Sequence, residues 1–295
     1  MSDPAGAQPP QVVVTRPQPE ADAWVRALQE HGWQAQAMPL IEIGEPTAAV
    51  AQAGLSEARA NWLAYDALMF VSAAAVRHFF AGVSLVPPDR LPTTRFWAPG
   101  PGTARELERA LSRRGVDGRQ VDAPPADAPQ FDSEHLWPQV QSQMGPGRRL
   151  LVVRGGVTEP GGVSGAASGA ASGAASGAAS GGQGREWLMQ RCRELGAEVQ
   201  SCMAYERRVP VFDPAACGRL RAATGPGHVW LLSSSEALAN LDRILCGHAA
   251  TGAAALATHP RIALAARAAG FVPVEMSRPA LADVLAALES HWSCP

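Results

Sequence analysis

Cysteine is scarce and unpaired in this chain: Cys192, Cys202, Cys217, Cys246 and Cys294 are widely spaced and never form a CxxC pair. That arithmetic argues against a disulfide framework or a thiolate metal cage, and reads them as small buried hydrophobes. The seven histidines show neither HxxxH nor HExxH spacing, so no metal site is written in the sequence. A basic stripe is missing too. With 25 basic and 27 acidic residues the formal net charge is −2, which argues against a nucleic-acid partner. No apolar run reaches membrane-spanning length, and MSDPAGAQPP has neither the basic start nor the apolar centre of a secretory signal. A cytoplasmic protein with a frayed tail at residues 1–10, and no membrane partner, is therefore expected.

What is present is core-forming material. Hydrophobic residues make up 46% of the 295 and charged residues 18%, enough for packed interiors and too long a chain for one ordinary core. Short β-rich apolar runs alternate with helical patterns throughout, the sequence form of βαβ units and parallel sheets. Ten strands are predicted, at Val12–Thr15, Gln36–Ile43, Ala67–Val71, Arg95–Ala98, Gln120–Asp122, Leu150–Val153, Glu198–Tyr205, Val229–Leu232, Ala255–Thr258 and Val272–Glu275. Between them, stripes such as Leu188, Cys192 and Leu195, or Leu281, Val284, Leu285 and Leu288, mark helix faces that cover the sheets.

The two halves echo each other out of order. VVVTRPQPEADAWVRALQEHGWQAQAMPLIEI resembles LLVVRGG followed, after an interruption, by GREWLMQRCRELGAEVQSCMAYERR; DALMFVSAAAVRHFF resembles HVWLLSSSEALANLD. The strand, helix, strand unit comes first in one set and last in the other, which tandem domains would not give. The fold class expected is α/β: two doubly wound parallel five-stranded domains (flavodoxin-like), interleaved and joined by a two-stranded crossover. One lobe takes residues 11–43 plus 209–295, the other 44–208. Residues 163–182, essentially repeated SGAA, cannot build a core. Glycine every fourth residue costs a helix about 1 kcal/mol each relative to alanine, so a flexible insert is expected there, with a helix starting near Gly184.

Several of these pieces, VVVTRP, PLIEI, GREWLMQRCRELGAEV, AYERRVP and ATHPRIALAARAAGF, resemble in their order the uroporphyrinogen-III synthase family, over essentially the whole chain except the tail and the insert. The resemblance implies a lyase of haem biosynthesis that takes hydroxymethylbilane, removes water, inverts the terminal pyrrole ring and closes the macrocycle. It implies no cofactor: neither metal, nucleotide nor prosthetic group. The substrate is a flexible polyanion, and the strand-to-helix turns of open parallel sheets offer unpaired N–H groups and helix dipoles to such an anion. If the two carboxyl edges face each other, those turns line a single cleft.

Tyr205 matches the family's tyrosine at the interlobe crossing, and its phenol can donate to a departing hydroxyl; read without the family it is a packing tyrosine at a junction. Thr103 matches the threonine after a glycine-proline turn, and Ser234 or Ser235 the serine opening the corresponding helix. Thr15 and Ser72 end strands at two further turns and read equally as helix caps. Arg16 and Arg154 end equivalent strands and could pair with substrate carboxylates or with protein acids. The sequence departs from the family at Val71, Ser72, Ala73 and Ala74, where a threonine, serine, small residue and asparagine are expected, and at Ile262, where threonine is common. A two-lobed, non-enzymatic clamp for a small anion is the alternative, although no DNA-binding segment accompanies it. A dehydrogenase ranks last, because TRPQPE stands where GxGxxG would. A monomer is expected; transient contact with neighbouring pathway enzymes stays open.

Overall fold

The computed structural model describes residues 9–86, 93–125, 127–157 and 178–292. The chain divides into two compact units, one made of residues up to Ile43 and from Arg208 onward, the other of Gly44–Arg207.

The first unit opens with β1 (Gln11–Val14), α1 (Glu20–Glu30) and β2 (Ala35–Ala37), after which β3 (Glu42–Gly44) carries the chain into the second unit. There follow α2 (Ala49–Ala60), β4 (Ala67–Phe70), α3 (Ala73–Ala81), β5 (Arg95–Trp97), α4 (Pro101–Ser112) and β6 (Val121–Asp122). α5 (Ser133–Val140), β7 (Arg149–Val157), α6 (Ala178–Glu194) and β8 (Glu198–Arg208) complete it. The chain then finishes the first unit through α7 (Pro214–Ala223), β9 (His228–Leu232), α8 (Ser235–Ile244), β10 (Ala254–Ala257), α9 (Pro260–Ala268), β11 (Val274–Met276) and α10 (Leu281–Trp292).

The first sheet runs β11-β10-β9-β1-β2 and is parallel at each of its pairings. Alternation along its strands sends side chains to two cores. Val13, Trp230, Leu232, Ala255 and Ala257 meet α7, α8 and α9, whereas Val12, Val14, Val229, Leu231 and Leu256 meet α1 and α10. Helices on both faces make the sheet doubly wound, and every strand residue of β1 from Val12 to Val14 is fully buried.

The second sheet runs β3-β8-β7-β4-β5-β6. One face packs Met69, Trp97, Leu150 and Val152 on α5 and α6. On the other, Phe70 stacks on Phe80 at 5.4 Å and meets Phe79 edge-on at 5.5 Å, both from α3. Edge-to-face aromatic contacts of this kind stabilise beyond simple burial. Leaving β3 aside, the order β8-β7-β4-β5-β6 repeats that of the first sheet with the strand, helix, strand unit moved to the end of the segment.

The α/β class and parallel sheets follow the sequence reading, with five corrections. The single strand expected over Gln36–Ile43 is two strands, β2 and β3, because Pro39 has no N–H to give a ladder; the second sheet gains its sixth strand in this way. β7 extends past Val153 to Val157 and β8 past Tyr205 to Arg208. α6 starts at Ala178, not near Gly184, so the last part of the repeat is helical. Once Leu188, Met189 and Cys192 are packed, extending the helix back through Ala179 and Ala178 adds one hydrogen bond per residue. Its apolar stripe stops at Cys192: the helix ends at Glu194, and Leu195 is 41% exposed. The rest of the repeat lies outside the described residues, as do the N-terminal eight and Cys294. Of the four cysteines described, Cys192 and Cys202 are buried, Cys217 is half-buried, and Cys246 is exposed, contrary to the expectation for it. Burial pushes the Cys192 and Cys202 thiols up to about 12 and about 11, which keeps them protonated and inert.

Candidate functional site

In a parallel sheet whose strand order reverses, ligands bind at the carboxyl edge where the reversal opens a crevice. The first unit reverses between β1 and β9, the second between β4 and β7. The sequence-selected residues Thr15, Arg16, Ser234 and Ser235 stand at the first of these points, and Ser72 and Arg154 at the second.

At the first point most of the side chains are already occupied. Thr15 is buried, and its Oγ1 donates 2.7 Å to the Leu231 carbonyl, tying the ends of β1 and β9 together. Arg16 lies 4.2 Å over the Trp24 ring and 3.4 Å from Glu20, both on α1. Ser234 precedes α8 as its cap residue without a side-chain cap bond, and the buried Ser235 Oγ has no hydrogen-bond partner among the described residues. A hydroxyl thus stands beside the first turn of α8. His259 caps α9 by accepting from the Arg261 N–H at 3.2 Å.

The second point holds the more elaborate arrangement. Ser72 caps α3, its Oγ accepting from the Ala75 N–H at 3.1 Å, and the same Oγ lies 3.2 Å from the Tyr205 hydroxyl. The Val71 N–H continues the sheet ladder to the Val153 carbonyl at 3.2 Å, which fixes the end of β4 beside Arg154. Tyr205 is brought here from β8 by a bulge. The register pairs Arg154 with Met203 but Gly155 with Tyr205, so Ala204 is the extra residue and Tyr205 is re-aimed.

Two glycines make room for that. A Cβ on Gly155 would fall 2.3 Å from Tyr205 Cζ, and one on Gly156 would fall 2.5 Å from Met203 Cε. The phenol ring thus rests on bare backbone, with the His78 ring 5.6 Å away and tilted by 33°. Burial, then the positive charge of Arg77, lowers the His78 pKa, so this ring is neutral near pH 7. Among the described residues Arg154 makes only a long 3.4 Å bond to the Gly155 carbonyl. Arg185, near the start of α6, has its pKa lowered by burial and then by the charge of Arg154, with Glu186 and Tyr205 acting in the opposite sense. Neither arginine forms an ion pair among the described residues. Two cations that repel each other beside a phenol form a place an anion would relieve.

Thr103 sits buried in the first turn of α4, whose cap residue Gly100 offers no side chain to the helix amides. It belongs to the same carboxyl edge, one strand further along, and does not touch Tyr205 in any hydrogen bond. Two hollows of about 430 and 320 Å³ lie elsewhere, the first lined by Arg59, Trp62 and Gly82, the second by Tyr65, Gln200 and Cys202.

Sequence reasoning selected Ser72, Arg154 and Tyr205, and the fold brings Ser72 and Tyr205 into contact with Arg154 on the neighbouring strand. It missed Gly155, His78 and Arg185. The signal for the first was present in part: a double glycine directly after an apolar strand marks a close approach of something bulky, once β7 is seen to run on to Val157.

Residues 22–161, a stretch just short of half the chain, match the family model for uroporphyrinogen-III synthase HemD. The family reached from the residues and the family so matched are the same. No curated protein matches the chain significantly in sequence. Solved structures similar to it include a triple mutant of uroporphyrinogen III synthase from the extremely thermophilic bacterium Thermus thermophilus, at 16% identity over 95% of this chain and 97% of that one, with a TM-score of 0.44. The wild-type enzyme of the same organism aligns at 16% identity over 95% and 96%, with a TM-score of 0.36.

Proposed function

We propose, from the uroporphyrinogen-III synthase match over residues 22–161, that this chain converts hydroxymethylbilane to uroporphyrinogen III, as a cyclising hydro-lyase acting in the cytoplasm without a cofactor. Among the described residues no helix is long and apolar enough to cross a membrane. The family's substrate is a small tetrapyrrole, and its rim of carboxylates matches what the second unit's edge offers: Arg154, Arg185, and the uncapped amides of α4.

The single observation that carries the chemical reading is Tyr205, seated on Gly155 and hydrogen-bonded to Ser72 at the point of strand reversal. In this reading the phenol protonates the terminal hydroxymethyl oxygen as its C–O bond breaks, and water leaves. The resulting azafulvenium cation is attacked by the substituted carbon of the last pyrrole ring. Rearrangement then inverts that ring, and loss of a proton restores the aromatic pyrrole and the acid. The cation is reactive in its own right, so the protein's main contribution is to hold one conformer and delay the direct closure that gives the type I isomer. Thr15, Arg16, Thr103, Ser234 and Ser235 serve in this proposal as rim contacts, chiefly through the backbone amides beside them.

Purified protein supplied with fresh hydroxymethylbilane, its products oxidised and separated by isomer, tests this. Type III product in excess over the spontaneous background is expected; type I alone, at the uncatalysed rate, would refute it.

A further inference from the structure

Ser72 is placed by three constraints at once. It has extended backbone, φ −161° and ψ 159°, its Oγ is held by the Ala75 N–H of α3, and the preceding residue is locked into the β4–β7 ladder through Val71 N–H to Val153 O. A serine hydroxyl carries one proton and can accept as well. Its acceptor side is used by Ala75. Among the described residues the only other group in hydrogen-bond contact with it is the Tyr205 oxygen, 3.2 Å away.

Two proton arrangements are conceivable for that pair, and they differ in what they leave over. With the phenol as donor, the tyrosine proton is spent inside the protein and the serine proton has no acceptor. With the serine as donor, the serine proton is the one used inside the protein, and the phenol keeps its own for something outside. The second arrangement is also favoured because an oxygen that accepts from a helix N-terminal amide is polarised into a better donor.

We infer that Ser72 is a positioning residue for Tyr205: clamped by the first turn of α3, its hydroxyl donates to the phenol oxygen and presents the phenol proton to the departing hydroxyl of the substrate. This rests on the reading of Tyr205 as the proton donor. Gly155 and the bulge at Ala204 set where the ring lies, and Ser72 sets which way its proton points. At 3.2 Å the bond is long for two hydroxyls, as catalytic hydrogen bonds often are before substrate arrives.

The chain has two tyrosines, Tyr65 and Tyr205, so protein labelled with ¹³C at tyrosine Cζ gives two resonances that Tyr205→Phe assigns. Ser72→Ala is expected to displace the Tyr205 resonance and lower kcat about tenfold, the scale of one lost hydrogen bond, with KM within about twofold. Ser72→Thr, which retains cap and donor, restores both. Ser72→Asp keeps the oxygen that caps α3 and discards the donor, so it tests the role in a helix that is still capped, and the same fall in kcat is expected. Wild-type kcat in Ser72→Asp, an unmoved Tyr205 resonance in Ser72→Ala, or failure of Ser72→Thr to rescue would overturn the inference. If the wild-type protein yields only the type I isomer, the proposed function falls, while the resonance still decides whether Ser72 donates to Tyr205.

Discussion

Gly155 is the residue whose identity the site constrains most tightly, because its missing side chain is the floor on which Tyr205 lies. Gly155→Ala puts a carbon 2.3 Å from Tyr205 Cζ and 2.7 Å from its hydroxyl oxygen, so the ring must leave its place. Overpacking of this sort costs about 1–3 kcal/mol. The variant is expected to melt lower and to lose most type III product; unchanged melting and turnover together would show that the ring is not seated there. At this scale the sequence was legible at Ser72, which could be placed by counting along the apolar run of β4, and less so at Arg154, which was expected to end its strand and lies inside β7. It was illegible where a side chain's partner is far away in sequence. The Thr15 hydroxyl is taken by Leu231, 216 positions on, and no local pattern announces that bond. Arg16 is different: Glu20 and Trp24 lie one and two turns ahead on α1, so its engagement by its own helix could have been read from spacing.

Among the elements, α8 shows how a helix end can be strained by one residue. After its C-cap at Leu245 the chain turns through Cys246 at φ 53°, the left-handed region that glycine occupies at many helix ends. A side chain there costs roughly 1–2 kcal/mol, part of which glycine returns through its freedom in the unfolded chain. Cys246→Gly is therefore expected to stabilise the protein by about 0.5 kcal/mol. Urea denaturation should show a higher midpoint at constant slope, and a lower midpoint would mean the exposed thiol makes a contact worth more than the strain. Element type was well encoded, because period-2 apolar runs and helical stripes bury opposite kinds of surface. Boundaries were not. Pro39 splits one expected strand, β7 and β8 run on beyond their apolar parts because their edges pair, and α6 begins six residues earlier than its glycine content suggests.

Taken as a whole, the molecule uses one strand order twice, and in each sheet the reversal point carries serine or threonine at a strand end beside a helix amino terminus. That order was readable from sequence because the echoes VVVTRP and LLVVRGG, or MFVSAAA and WLLSSSE, occur in permuted positions. The chemistry was less readable, since a reaction governed by conformer selection demands few side chains with fixed spacing. In the proposed reaction the phenol at the second reversal point releases the substrate's hydroxyl. Tyr205→Phe keeps the ring that fills the seat on Gly155 and removes only the hydroxyl, so its fold should survive with the loss of one weak hydrogen bond. The ratio of type III to type I product over time, compared between wild type and Tyr205→Phe, tests the claim most directly. Type III should dominate in the wild type and, in the variant, fall in rate by about 10²-fold with type I taking over; equal type III rates in the two proteins would show that the phenol plays no part in the release.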